Sequence, residues 1–460
     1  DTAFMQFSRK SFLEYVQHYA TELHKTDPSF QVASNWAFTS FMPQPVNVDV
    51  DFISGDLTPN NSVINAGFEA RCIASQALKY NLPWDIMSWA FSMNWDRTSV
   101  QSQKSVTQLT QEAAEIIAVG GGFQCYFTQN RDASIRPWQI PVMKGLSDFM
   151  RARKAFCRNA KPIPQVAIVY STFDKYMRSK NVFTNGGLDE IRGITNLLMD
   201  AQQSVQVLSE HHLTGNLQQY PLIVIPETEY LDSSFKNELI NYVRNGGHLL
   251  VIGTNAIPLI AKEAGVELDG EIKKSTTWLG FNHFMTALDG NYQPVILPAT
   301  AKAIGSIYTK QDLRFPSVPA GAVIPCGKGI IGVVFTDLGL NYTSNQSFLQ
   351  RDFIQAMVRE TFKEPKLIVN GSHLVHVVLN TLNDKTIVHL INAGGEHANR
   401  NNYSYDELPA LSNITVRLRQ SRPGAVMLEP AHKKLKFDYQ DGEVIVQVPS
   451  VDVHSMLVLQ

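Results

Sequence analysis

The stretch Leu82–Trp95, LPWDIMSWAFSMNW, decides how the first third of the chain is read. It carries one carboxylate, Asp85, in a short apolar run with three tryptophans, Trp84, Trp89 and Trp95. Its aromatic content reads as a strand. The C–H face of a pyranose packs on a flat ring while its hydroxyls need charged or amide partners, so rings beside a carboxylate suit a sugar site. The same residues equally suit the aromatic core of a barrel with one solvated aspartate at a strand end. The surrounding chain has to choose.

Outward from that stretch, residues 1–160 alternate helix-like and strand-like segments at the spacing of βα units. A helix over Ser11–Lys25 starts at Ser11 with Glu14 as a capping box and stops at Asp27-Pro28. Strands are expected at Phe30–Thr39 and Val48–Leu57, then a helix at Val63–Tyr80. Beyond Trp95 come a polar helix, Gln103–Gly122, stopped by three glycines, a strand Phe123–Asn130 and a helix Val142–Cys157. These are about four βα units, whereas a whole (β/α)8 barrel takes roughly 250 residues. The segment is therefore expected to be the second half of a barrel beginning at a helix. Either the first half has been lost, or a partner chain covers the open sheet edges of a half-barrel.

After Lys161–Pro164 the βα rhythm restarts. Leu222–Ile225 and Leu249–Ile252 are apolar on both faces, which indicates a buried parallel sheet of flavodoxin-like or class I amidotransferase-like type. The span of about 271–334 is turn-rich and reads as a β-rich insertion, followed by a helix over Ser347–Phe362. From about residue 366 alternating strands separated by Asn-Asp, Gly-Gly and Asp-Gly turns predict an antiparallel β-sandwich that ends in a docked strand. The class is thus α/β plus all-β, with domains at 1–160, 161–365 and 366–460.

Forty basic against forty-two acidic residues give a formal charge of −2 without long runs of either sign, so neither nucleic acid nor an anionic membrane is an expected partner. No apolar stretch reaches the roughly 18 residues of a membrane span, and DTAFMQFSRK lacks the apolar segment of a signal peptide. The composition does not choose between cytoplasm and a bacterial periplasm or secretion. Cys72, Cys125, Cys157 and Cys326 have no metal-ligand or disulfide spacing and read as small buried hydrophobes. No cofactor or metal is expected. His211–His212, His373, His376 and His389 lack neighbouring ligands and are expected at the surface.

Half-barrel, degenerate amidotransferase-like domain and sandwich, in that order, resemble the retaining glycosidases around the family-29 and family-151 α-L-fucosidases. The middle domain is similar to the trimerisation domain of family-42 β-galactosidases. SGDLTPNN (Ser54–Asn61) looks like the GD-x-x-TPE segment of fucosidases, PWDIMSWAF (Pro83–Phe91) like their WE-x-x-x-SW strand, and Gln108–Ile135 like the helix–GG–strand ending of the barrel. The resemblance implies an α-L-fucosidase-like hydrolase acting on an oligosaccharide or glycoside. It also implies a homo-oligomer, dimer or trimer, and makes Leu82–Trp95 the seventh barrel strand. β-Galactosidase and an inactive sugar-binding homologue are the alternatives.

Such enzymes use two carboxylates about 5–5.5 Å apart, because a retained anomeric centre requires two displacements. In the relatives the nucleophile ends the fourth strand, which would precede Asp1. Where some fucosidases carry a Glu after TP, Asn60 stands, which cannot exchange a proton near neutral pH. Asp85 and Asp56 are the candidate catalytic carboxylates: tryptophans around Asp85 would raise its pKa by desolvation, and Asp56 follows a strand where barrel sites lie. Asp56 equally suits the cap of a turn, and Asp96 and Asp132 read as loop residues. Trp84, Trp89, Trp95, Asn60 and Trp36 are the candidate substrate contacts. In the middle domain Thr254 and Asn255 stand where an amidotransferase holds its cysteine, so glutamine hydrolysis is not expected.

Overall fold

The structure is a computed structural model and describes residues 2–35, 39–58, 62–94, 97–178, 188–395 and 404–460. The chain forms two compact units, one of Asp1–Ser11 with Pro164–Pro365, the other of Phe12–Ile163 with Lys366–Gln460. Among the described residues no helix is long and apolar enough to cross a membrane.

The barrel segment begins with α1 (Thr2–Thr26), which runs through Ser11 and Glu14, so these are interior residues and not a cap. Its end at Thr26, ahead of Asp27-Pro28, is where the sequence places it. Then follow β1 (Ile53–Asp56), α2 (Ser62–Tyr80), β2 (Trp84–Trp89), β3 (Phe91–Asn94), β4 (Arg97–Gln103), α3 (Val106–Ala118), β5 (Gly122–Tyr126) and α4 (Ile140–Cys157). β1, β2 and β5 make a parallel sheet in that order. Sequential strands with a helix after each are the winding of a barrel. Of the expected strand at Phe30–Thr39, residues 36–38 lie outside the described residues, and the described ones form a bridge between Asn35 and Ser54. The backbone of Val32 is tied instead to Asp51, whose carboxylate accepts from Val32 N at 2.7 Å while Asp51 N donates to Val32 O at 2.9 Å. The segment Gln103–Gly122 is also shorter as a helix than its sequence suggests. Its first residue closes the β3–β4 hairpin, and Ser105 caps α3 by accepting from Gln108 N at 3.1 Å.

Ile53, Ile86 and Phe123 face outward onto Ala66, Ala70, Ile73 and Ile116 of α2 and α3. Strand alternation then points Ser54, Asp56, Asp85, Met87, Trp89, Gln124 and Tyr126 to the inner face.

The same unit contains the sandwich. One sheet comprises Leu367–Asn370, Leu411–Arg419, Glu443–Val451 and Phe437–Gln440. The other comprises Lys433–Leu435, Val426–Glu429, His454–Leu459, Lys385–Asn392, Val375–Leu382 and β6 (Lys161–Pro162). Ala114, Ala118 and Ile117 of α3 and Cys157 of α4 pack on Val378, Ile391, Ile387, Met456 and Val458. Buried polar groups stitch this seam: Gln111 Nε2 donates to the carbonyls of Asn392 (2.8 Å) and Gly394 (3.0 Å), and Asn380 Nδ2 to that of Ala118 (2.7 Å). Glu115, fully buried, accepts from Arg71 Nη1 at 3.1 Å and pairs with His376 Nδ1 at 2.6 Å. Thus His376 and His389, expected at the surface, are interior residues of a helix-covered sheet. His389 Nδ1 lies 3.1 Å from His454 Nε2, and burial lowers the His389 pKa to about 3.

In the other unit the parallel strands Val205–Leu208, Val166–Val169, Leu222–Pro226, His248–Ile252 and Gly329–Val334 lie side by side, the flavodoxin-like order 2-1-3-4-5. The span 271–334 does not stand apart from this sheet. Gly329–Val334 is its fifth parallel strand, and Ser317–Cys326, Lys302–Tyr308, Lys273–Phe281 and Phe284–Tyr292 extend it antiparallel to nine strands. A parallel edge left bare would expose a row of unpaired amides, which the extension satisfies.

Helices Asp189–Asp200 and Leu338–Ser344 cross at two glycines: a Cβ on Gly193 would lie 1.9 Å from Gly339 O, and one on Gly339 2.2 Å from Glu190 O. Because the obstacle is backbone, Gly193→Ala is expected to lower stability by about 1–3 kcal/mol. An unchanged urea midpoint would show that the helices separate without cost.

Candidate functional site

The register sets three rungs across the inner face of the barrel sheet. Ser54, Asp85 and Gly122 form the lowest, Asp56, Met87 and Gln124 the next, and Trp89 and Tyr126 the one at the C-terminal ends. With a rise of about 3.3 Å per residue, Asp85 stands roughly 13 Å below Trp89 along β2, and the Cα atoms of Asp56 and Asp85 are about 8 Å apart.

Asp85 is thereby placed at the floor. Its Oδ1 accepts from Ser54 Oγ at 2.7 Å and its Oδ2 from Gln124 Nε2 at 2.7 Å, so one carboxylate links all three strands. The tryptophan surroundings expected for it are not what the fold supplies. Trp84 points to the other face, over Gly121, where a Cβ would meet its ring at 2.3 Å, and Trp89 is two rungs above. The reason is strand alternation, which sends residues one apart to opposite faces. Trp36, Trp95, Asn60 and Asp96 lie outside the described residues.

Asp56 ends β1, half-buried, with Asn35 Nδ2 donating to its Oδ2 at 3.3 Å. Burial raises its pKa, and the charge of Asp85 adds to that rise while the Asn35 hydrogen bond opposes it. A carboxyl that holds its proton longer, at the C-terminal edge of barrel strands, has the property a general acid requires.

Above it, Trp89, Phe91 and Tyr126 form an edge-to-face cluster with ring centroids 5.5–5.9 Å apart. Trp89 Nε1 is buried without an acceptor among the described residues. Past β5, in the turn Pro137–Gln139, Trp138 is 56% exposed. Sequence reading passed over Ser54, Gln124, Tyr126 and Trp138. Ser54 and Tyr126 carried a usable signal, since each sits in a strand segment in alternation with apolar residues. Asp132 accepts from Ser134 N and Oγ at 3.0 and 2.7 Å, a turn as expected.

The strand ends of the α/β unit are closed by their own side chains. Gly253, at φ +96°, occupies the elbow, and a Cβ there would fall 2.3 Å from Glu227 Cγ. Glu227 accepts from Gly339 N at 2.5 Å, and burial, with Asp337 nearby, pushes its carboxyl well up. Asp337 in turn accepts from Thr254 N and Oγ1 at 2.8 and 2.9 Å. His212 Nδ1 accepts from Ser209 N at 2.9 Å and belongs to a helix cap. Among the described residues no group of three or more His, Cys, Asp and Glu could hold a metal ion, and none of the four cysteines is in a disulfide.

No protein-family profile and no characterised protein sequence matches the chain. Solved structures do match in fold. An α-L-fucosidase, isoenzyme 2, from Paenibacillus thiaminolyticus superposes with a TM-score of 0.69 at 15% identity, over 86% of this chain and 63% of that one. A β-galactosidase from Bacillus circulans sp. alkalophilus superposes with a TM-score of 0.69 at 13% identity, over 100% of this chain and 68% of that one. The chain shares the fold of these two enzymes. A cold-adapted β-galactosidase from Rahnella sp. R3 gives 0.68 at 15% identity, over 99% and 68%. The chain therefore spans 63–68% of the length of these glycosidases.

Proposed function

We propose that the protein is a glycoside hydrolase whose substrate lies against the inner face of β1, β2 and β5. Asp56 is the proton donor in this reading. Asp85 sits beneath it as the second carboxylate, and its charge keeps the Asp56 proton on at higher pH. Trp89, Tyr126 and Trp138 offer ring faces to the sugar, and the unpaired Trp89 Nε1 an N–H for a hydroxyl. The single observation that carries this reading is Asp56: a half-buried carboxyl with a raised pKa at the C-terminal end of a barrel strand.

Of the two sugar classes, a β-galactoside is favoured, because the β-galactosidases accompany the chain over 99–100% of its length and the fucosidase over 86%. An α-L-fucoside is the second reading, carried by the SGDLTPNN and PWDIMSWAF stretches. Nitrophenyl β-galactoside is expected to be hydrolysed faster than nitrophenyl α-L-fucoside. The reverse order would reassign the substrate. Sugar binding without turnover of either would leave a sugar-binding homologue. In the same reading, residues 1–160, 161–365 and 366–460 are three domains, the middle one serving homo-oligomerisation.

A further inference from the structure

A second feature lies away from the inner face. At the C-terminal end of α4 the residues Arg151, Lys154, Arg158, Asn159 and Lys161, together with Thr381, Asn383 and Asp384 of the facing hairpin, line an open cleft of about 790 Å³. That is within the size of ordinary ligand pockets, about 300–1,000 Å³. Arg151, Lys154 and Arg158 fall at i, i+3 and i+7, one face of the helix and its cap. Lys161 joins them from β6, which pairs with Thr381 at the edge of the sandwich sheet. Arg151 is partly neutralised by Asp148 at 2.7 Å, whereas Lys154, Arg158 and Lys161 make no ion pair among the described residues. Asp384 is the one acidic residue in the lining.

Both walls are held in place. On its inner side α4 is locked by Arg153, which donates to His454 Nδ1 at 3.2 Å and to His454 O at 2.9 Å and stacks 3.6 Å from the Phe149 ring. The opposite wall ends in a two-residue turn with Asn383 and Asp384 both at positive φ, the rigid type I′ geometry. Cations in the last turn of a helix complement its dipole. That accounts for Lys154 and Arg158 but not for Lys161 on a separate strand, nor for the concave shape.

We propose that this cleft docks an anionic glycan chain, its cations taking carboxylate or sulfate groups and Asn159, Thr381 and Asn383 taking hydroxyls. Cations on one wall beside neutral hydrogen-bonding groups on the other suit a chain whose charges are separated by sugar hydroxyls. A nucleic acid would want stacking rings, of which the lining has none, and a flat lipid surface would not enter a cleft. The purpose of such docking rests on the proposed glycosidase activity, but its occurrence does not.

The test is equilibrium binding of the intact protein to polygalacturonate, to heparin oligosaccharides and to neutral galactan, at low salt and at 0.15 M salt. The comparison is the triple variant Lys154→Glu, Arg158→Glu and Lys161→Glu. Binding to at least one of the two polyanions, weakened at least tenfold in the variant while its melting temperature and nitrophenyl-glycoside turnover are unchanged, is the expected result. Binding to polygalacturonate shows that carboxylates suffice, and binding to heparin alone shows that sulfate is needed. Equal binding by the variant, binding to neither polyanion, or stronger binding to a DNA oligonucleotide or to phosphatidylserine vesicles would overturn the proposal. Docking without turnover would strike the hydrolase reading alone, and turnover without docking would strike the cleft alone.

Discussion

Glu115→Ala is expected to lower the stability of the barrel–sandwich unit by about 3–5 kcal/mol, a large share of the roughly 5–15 kcal/mol that keeps a typical domain folded. Glu115 is fully buried and bonds Arg71 and His376 at 3.1 and 2.6 Å. Without it Arg71, 1% exposed, keeps only the carbonyl of Gly67 at 2.8 Å, since its Nε and Nη2 have no partner among the described residues. An uncompensated interior charge is what makes breaking such a pair costly. Replacing Arg71 and Glu115 together, by Met and Leu, is expected to recover most of the loss, because then no charge is stranded. A urea midpoint for the alanine variant within about 1 kcal/mol of the parent would sink the argument.

The same seam gives the unit an acid limit with a definite sign. Burial works against ionised Glu115, but His376 and Arg71 outweigh it and hold the carboxyl below its ordinary range. Its contribution is therefore present above the unfolded value and is lost as pH falls through the folded one. His389, lowered to about 3 by burial, and His454, held well below its ordinary value chiefly by burial and also by the nearby Arg153 guanidinium, stay neutral when folded. Unfolding lets them take up protons below the ordinary histidine pKa of about 6.5, so stability falls from there toward pH 3 by up to about 1.4 kcal/mol per pH unit for each. All three groups push the same way, and midpoints at pH 7, 5.5 and 4 should decline in that order.

Asp56→Asn is the second large effect, this time on turnover. Removing a general acid from a glycosidic cleavage is expected to lower kcat by about 10²–10⁴-fold with the fold intact, checked by circular dichroism. The sign of the accompanying pH effect follows from the raised pKa. An acid works while protonated, so activity falls as pH rises through the Asp56 value. Asp85 helps hold that value up, so Asp85→Asn is expected to bring the alkaline fall of activity to lower pH. A profile that does not move in Asp85→Asn, together with full activity in Asp56→Asn, would place the chemistry elsewhere.

Much of the architecture could be read without coordinates. Fully apolar runs such as Leu222–Ile225 signal a parallel sheet because both faces must be covered, and alternation after residue 366 signals a sandwich because one face is not. Where reading along the chain failed, long-range pairing was in control. Phe30–Thr39 has strand-like residues, yet among the described residues Val32 is tied to the side chain and amide of Asp51 and Asn35 makes a bridge to Ser54. The span 271–334 looks like an insertion until its last strand is seen beside His248–Ile252.

The composition of LPWDIMSWAFSMNW by itself determined that a carboxylate and aromatic rings share one strand. Which of them meet was decided by register and alternation. Trp84 turns away from Asp85, Ser54 and Gln124 come to it from neighbouring strands, and Asp56, one rung higher on β1, becomes the carboxyl with the raised pKa. The histidines followed the same rule. Their local sequence pointed His376 and His389 to the surface, and only the packing of α3 and α4 onto the sandwich turned these two and His454 into a buried, acid-sensitive seam. Burial is a property of what lies opposite, and no local pattern records it.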